Sequence, residues 1–223
     1  MKLVFYSGGY PSENAHLNNS LISLFNKPNL KLTFIPSCSY HGAEDFKEII
    51  AKYRPYGVKK FLKVDVDMDV KLSQRQAILS SDIIFLGGGN TYYFLKHLRK
   101  SGVLKDLKEW ALSGGVLAGM SAGAIMMTSK IDTAGFPSFD CDENEESMKS
   151  LKAMNLVNFE FSPHYKNSKR YDQELMIYSK ALESPLYACP DGAGIMLIED
   201  EIRFIGKTFC FFNGKKYIVN KGP

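Results

Sequence analysis

The pentapeptide Gly119-Met120-Ser121-Ala122-Gly123 constrains this chain more than any other stretch. The apolar run at residues 116–118 reads as a buried strand, and residues 122–127 read as the first turns of a buried helix. A serine between glycines at a strand-to-helix junction reads as a nucleophile elbow, a sharp turn whose Oγ projects into a crevice. The glycines let neighbouring backbone approach the strained turn. The N–H of Ala122, at a helix start, can face a developing negative charge. The bland alternative is a glycine turn that only packs a strand against a helix.

The elbow belongs to a longer rhythm. Strand-like runs at residues 3–6, 32–35, 61–66 and 83–86 alternate with helical spacing at 16–25, 46–53 and 95–110, the last broken near Gly102. This alternation predicts an α/β fold, a three-layer sandwich whose mostly parallel sheet carries helices on both faces. Residues 129–150 are polar and aperiodic, which predicts a functional lid or a mobile surface loop. Their acidic cluster, Asp140 to Glu146, reads as a solvated surface. Residues 168–183 return to helical spacing, and short strands at 194–198, 202–205, 209–212 and 217–219 predict hairpins on a sheet edge. With no repeat or linker, residues 1–223 read as one domain, long enough for a full core.

Composition excludes several functions. A net charge of +4 with scattered Lys and Arg argues against nucleic acid. No run approaches the length of a membrane span, and the N-terminus lacks the apolar region of a signal peptide, so the expected location is the cytoplasm. Cys38, Cys141, Cys189 and Cys210 show no Cys-x-x-Cys spacing, which signals neither a zinc site nor a redox pair.

A serine nucleophile needs a base and a group that orients the base. His16 and His97 lie on expected helices amid polar neighbours and read as surface residues. His164 follows a strand-like run, residues 157–161, and Pro163 fixes the backbone before it. His41, also after a strand end, is the alternative base. Asp191, in Cys189-Pro190-Asp191-Gly192, is the first candidate acid, although Pro-Asp-Gly also forms turns unaided. Asp132 is the second. With Ser121, His164 and Asp191 the chain order is Ser, His, acid, which is not the α/β-hydrolase order. Gly87-Gly88-Gly89-Asn90-Thr91 joins a buried strand to a helix and exposes several N–H groups that can cradle an anion. It matches neither a dinucleotide fingerprint nor a Walker A loop. Its bland reading is a packing turn.

In order, Gly87–Thr91, Gly119–Gly123, Ser162-Pro163-His164 and Pro190-Asp191-Gly192 resemble peptidase family S51, the serine peptidases that include dipeptidase E (aspartyl dipeptidase) and cyanophycinase. The resemblance spans residues 1 to about 212. It implies a flavodoxin-like or class I glutamine amidotransferase-like sandwich. It implies Ser121 as nucleophile, His164 as base and Asp191 as orienting acid, where the dipeptidase carries Glu. Gly88, Gly89 and Ala122 would form the oxyanion hole, with Asn90, Thr91 and Arg170 at the substrate. Arg170 would clamp the carboxylate of an acidic first residue; alternatively it decorates a solvated helix. No metal or organic cofactor is implied. The expected partner is a short peptide substrate, and the chain is a monomer or homodimer. Rival readings are another amide hydrolase, acting on cyanophycin-type substrates, and a non-catalytic binding or sensor protein that keeps the crevice.

Overall fold

Residues of the first strand alternate between two cores. The structure, a computed structural model, describes residues 1–222. In β1 (Lys2–Tyr6), Leu3 and Phe5 face one side of a sheet while Val4 and Tyr6 face the other, as the two-residue period of a strand requires. The chain continues through α1 (Ala15–Ile22), β2 (Leu30–Ile35), α2 (Gly42–Tyr53), β3 (Val58–Lys63), α3 (Leu72–Leu79), β4 (Ile83–Leu86), α4 (Thr91–Lys100), α5 (Val103–Leu112) and β5 (Val116–Met120). A short helix α6 (Ala122–Ile125) follows, then a 3-10 turn (Asp132–Gly135), β6 (Glu160–Ser162), α7 (Lys169–Ser179) and β7 (Leu186–Ala188). The chain closes with β8 (Gly194–Ile198), β9 (Glu201–Ile205), β10 (Thr208–Phe212) and β11 (Lys215–Asn220).

The main sheet runs β3-β2-β4-β5-β1-β8-β9. Its first five strands are parallel, and β8 and β9 add an antiparallel edge. Leu17 and Leu21 of α1 and Ile49 and Tyr53 of α2 cover one face. Phe94, Leu95 and Leu98 of α4 and Leu107 of α5 cover the other. The result is the expected α/β sandwich. The α3 helix was not legible in sequence, because only Ile78 of its eight residues is buried.

The C-terminal strands differ from the expectation of hairpins on one sheet edge. Only β8 and β9 extend the main sheet; β11-β10-β7-β6 form a separate four-stranded sheet. Phe161 of β6 packs on Phe5 of β1 with ring centroids 5.4 Å apart, so the second sheet shares the main core. Its other face is covered by Tyr171 and Leu175 of α7, against Phe209 and Phe211. No helix among the described residues is long and apolar enough to cross a membrane.

Residues 129–150 form a strap with defined contacts rather than a bare loop. The Thr91 N–H donates to Asp142 Oδ2 (2.7 Å), the Asn90 amide donates to the Glu143 carbonyl (2.9 Å), and Lys96 pairs with Glu146. The acidic cluster is therefore only partly a solvated surface.

Candidate active site

In an open parallel sheet, crevices form beyond the carboxyl ends of the strands. Here β1, β4 and β5 end in Ser7-Gly8-Gly9, Gly87-Gly88-Gly89 and Ser121. Ser121 has φ 52° and ψ −117°, a strained backbone for a residue with a Cβ. Such strain costs about 1–3 kcal/mol and persists only where the surroundings enforce it. They do so here: the Ser121 N–H donates to the Tyr6 carbonyl (3.0 Å), and the Gly123 N–H donates to the Gly87 carbonyl (3.1 Å). A side chain at Gly119 would strike the Gly123 carbonyl, and one at Gly123 would strike the Leu86 backbone. The glycines of the elbow are thus demanded by close packing of β5, α6 and β4.

His164 and Asp191 come from the second sheet, after β6 and β7. His164 Nε2 lies 2.9 Å from Ser121 Oγ, and His164 Nδ1 lies 2.7 Å from Asp191 Oδ1. A carboxylate can only accept, so Nδ1 carries the proton and the lone pair of Nε2 faces the serine hydroxyl. The imidazole and carboxylate are each about half exposed, at 47% and 49%. Gly8 makes room for them: a Cβ there would lie 2.5 Å from Asp191 Oδ1 and 2.6 Å from His164 Nδ1.

Gly88 adjoins the serine, since a Cβ on it would lie 3.5 Å from Ser121 Cβ. Gly89 has φ +129°, a conformation left to glycine, and a side chain there would strike Ser37. Among the described residues, none accepts a hydrogen bond from the backbone N–H of Gly88, Gly89 or Ala122. Asn90 caps α4 by accepting from the Tyr93 N–H (2.9 Å) and holds the strap with its amide, while Thr91 lines the chamber in front of Ser121. That chamber holds about 460 Å³.

Arg170 is placed elsewhere. Its guanidinium lies 3.5 Å from the centroid of the Phe139 ring, on the exposed side of α7 and outside the chamber lining. Lys166 is the cation that lines the chamber, together with Asp140 and Tyr171. The Tyr171 hydroxyl donates to Asp140 and holds that carboxyl below its usual range. Burial, reinforced by Asp140, pushes Tyr171 up to about 12. Sequence reasoning missed both, because an acidic loop and a helix side chain give no signal that they converge.

The alternative candidates do not meet the serine. His41 is exposed at the start of α2, near Glu44. Asp132 sits in the 3-10 turn, where its Oδ2 is buried without a partner. His16 is exposed, as expected; His97 is half-buried against Tyr93, and desolvation lowers its pKa. Among the described residues, no group of three or more His, Cys, Asp or Glu side chains could hold a metal ion.

Fold and family likeness define the class as a peptidase on a flavodoxin-like scaffold. The chain belongs to Peptidase family S51, whose sequence profile matches residues 3–205. It is 29% identical over 181 residues to the uncharacterized peptidase Lin0382 of Listeria innocua, covering 77% of this chain and 82% of that protein. It is 30% identical over 154 residues to a peptidase E of Shewanella denitrificans, covering 65% and 63%. Among solved structures, a peptidase from an acI-B1 actinobacterium superposes with a TM-score of 0.73 at 16% identity, covering 100% of this chain and 95% of that one.

Proposed function

We propose that this chain is a serine-type exopeptidase that hydrolyses short peptides through an acyl-enzyme on Ser121. The observation that carries the reading is the Asp191–His164–Ser121 series, joined by contacts of 2.7 and 2.9 Å. Nε2 takes the hydroxyl proton as Oγ attacks the scissile carbonyl. Asp191 keeps the imidazole in the tautomer this needs and stabilises the imidazolium that forms. The carbonyl oxygen becomes an oxyanion beside the N–H groups of Ala122 and of Gly88 or Gly89, each worth about 3–4 kcal/mol to the transition state. The imidazolium protonates the leaving amine. Water, activated by the same base, then releases the acyl group and restores the hydroxyl. Every proton is accounted for by His164, and the cycle requires no metal or organic cofactor.

The short-peptide reading rests on the strap. Residues 129–150 wall one side of the chamber, and Asp140, Cys141 and Asp142 line it. A chamber of about 460 Å³ suits a small ligand. An acidic first residue would meet Lys166 there; Arg170 is the expected clamp only if it leaves Phe139. Replacing Ser121 tests the mechanism: Ser121→Ala should lower kcat on dipeptides by at least about 10³-fold, with the fold intact. Turnover that survives this substitution would assign the reaction to another group. The same assay over Asp-x, Glu-x and neutral dipeptides tests the acidic preference, which Lys166→Ala should weaken.

A further inference from the structure

The three groups of the site do not share one scaffold. Ser121 follows β5 of the main sheet, whereas His164 and Asp191 follow strands of the second sheet. Their spacing therefore depends on how the two sheets are joined at this end. One fully buried side chain ties the end of β1 to both of those strand ends. Ser7, just beyond β1, accepts the His164 backbone N–H on its Oγ (2.7 Å) and donates its hydroxyl proton to the Cys189 carbonyl (2.7 Å).

Those two partners lie on the two strand ends that deliver the base and the acid. Cys189 is two residues before Asp191, and its own N–H donates to the Ser162 carbonyl (3.0 Å). The preceding residue, Tyr6, accepts from the Ser121 N–H (3.0 Å). The following residue, Gly8, makes room for the imidazole and carboxylate, and its carbonyl accepts from the Gly192 N–H (3.1 Å). The buried Asn14 donates from Nδ2 to the Gly8, Gly9 and Tyr10 carbonyls (3.0, 3.1 and 3.2 Å), which holds the turn. Three consecutive residues thus reach the serine, the histidine and the acid segment.

We propose that Ser7 is the positioning residue that sets the His164–Asp191 pair against Ser121. His164 has φ 54°, a left-handed backbone unusual for a residue with a side chain, and its N–H is the group Ser7 holds. Without the hydroxyl, the His164 N–H loses its one partner, while the Cys189 carbonyl keeps only the Tyr165 N–H (3.0 Å). Residue 164 is then free to relax, and relaxation rotates the imidazole. The effect falls on the chemical step rather than on substrate binding, because Ser7 is fully buried and does not line the chamber. This inference rests on the serine-peptidase reading.

The test compares wild type with Ser7→Ala and Ser7→Thr in three measurements: the rate of fluorophosphonate labelling, kcat and KM on a dipeptide, and the far-downfield proton resonance of a histidine Nδ1–H bonded to a carboxylate. For Ser7→Ala we expect labelling and kcat to fall about 10²-fold, KM to stay within about threefold, and the resonance to weaken or shift. Ser7→Thr, which keeps the hydroxyl, should recover to within about tenfold of wild type. A purely structural role would lower the melting temperature and leave labelling per folded molecule unchanged; that result overturns the proposal. Should Ser7→Ala fail to fold, Ser7→Cys supplies a weaker hydrogen-bonding group of similar shape. A loss of labelling of about tenfold or more in that variant supports the proposal, and wild-type labelling overturns it. A wild type that does not label at all refutes the nucleophile instead, and the Nδ1–H resonance still reports whether Ser7 holds the pair.

Discussion

At the scale of single residues, the site is set as much by missing atoms as by functional groups. Gly8 lacks the Cβ that would press into the imidazole and the Asp191 carboxylate. Gly8→Ala should therefore push the pair away from Ser121. We expect kcat/KM on short peptides to fall at least about 10²-fold, since misplacement by roughly 1 Å carries that penalty. Circular dichroism should match wild type, because the strain is local; unchanged kinetics would mean that the pair does not sit where Gly8 allows it. Much of this scale was legible in sequence. The elbow and the glycine loop are local patterns, so Ser121 and Gly87 to Gly89 could be read from their neighbours. His164 and Asp191 could be singled out by strand ends and Pro163, but not joined to Ser121 by spacing. Ser7 carried no signal beyond its place after a strand, since its partners, His164 and Cys189, are more than 150 residues away in sequence. Arg170 was expected at the substrate because its helix follows His164; the Phe139 ring, brought in by the strap, holds it elsewhere.

At the scale of elements, strand β6 carries a buried titrating group. Glu160 is buried, its Oε2 lacks a partner, and Asp132 lies close enough to oppose its charge. Burial, with Asp132 adding to it, raises the carboxyl from its ordinary 4.5 to about 7. The folded protein keeps this proton to about pH 7, whereas the unfolded chain releases it near 4.5. Stability linked to the proton is therefore present at low pH and is lost as the pH rises from about 4.5 through 7. Glu160→Gln removes the titration. It should raise the melting temperature by about 3 °C at pH 8.5 and change it by under about 1 °C at pH 5. Equal shifts at both pH values would show that Glu160 does not hold its proton in the folded state. Element boundaries were legible where apolar residues repeat. They failed at α3, with its single buried residue, and at the C-terminal strands, whose sheet membership is decided by distant pairing of β6 with β7 and β7 with β10.

At the scale of the whole molecule, the second sheet is bound into the main core rather than appended to it. Phe159 and Phe161 pack on Phe5, and Phe161 and Cys189 belong to the same buried cluster as Leu3 and Leu117. Neither sheet can expose that surface without the other losing its cover. Calorimetry should show one cooperative unfolding transition, with calorimetric and van't Hoff enthalpies in agreement. Two separated transitions would mean that the sheets fold as independent units. The same union brings His164 and Asp191 to Ser121, so on the proposed mechanism unfolding of either sheet should abolish activity. The central claim is that Ser121 is made nucleophilic by His164. Its most direct measurement is mass-spectrometric mapping of the fluorophosphonate adduct in wild type and in His164→Ala. The adduct should lie on Ser121, and its rate of formation should fall by at least about 10³-fold in the variant. An adduct on another residue, or one that forms as fast without the imidazole, would contradict the account.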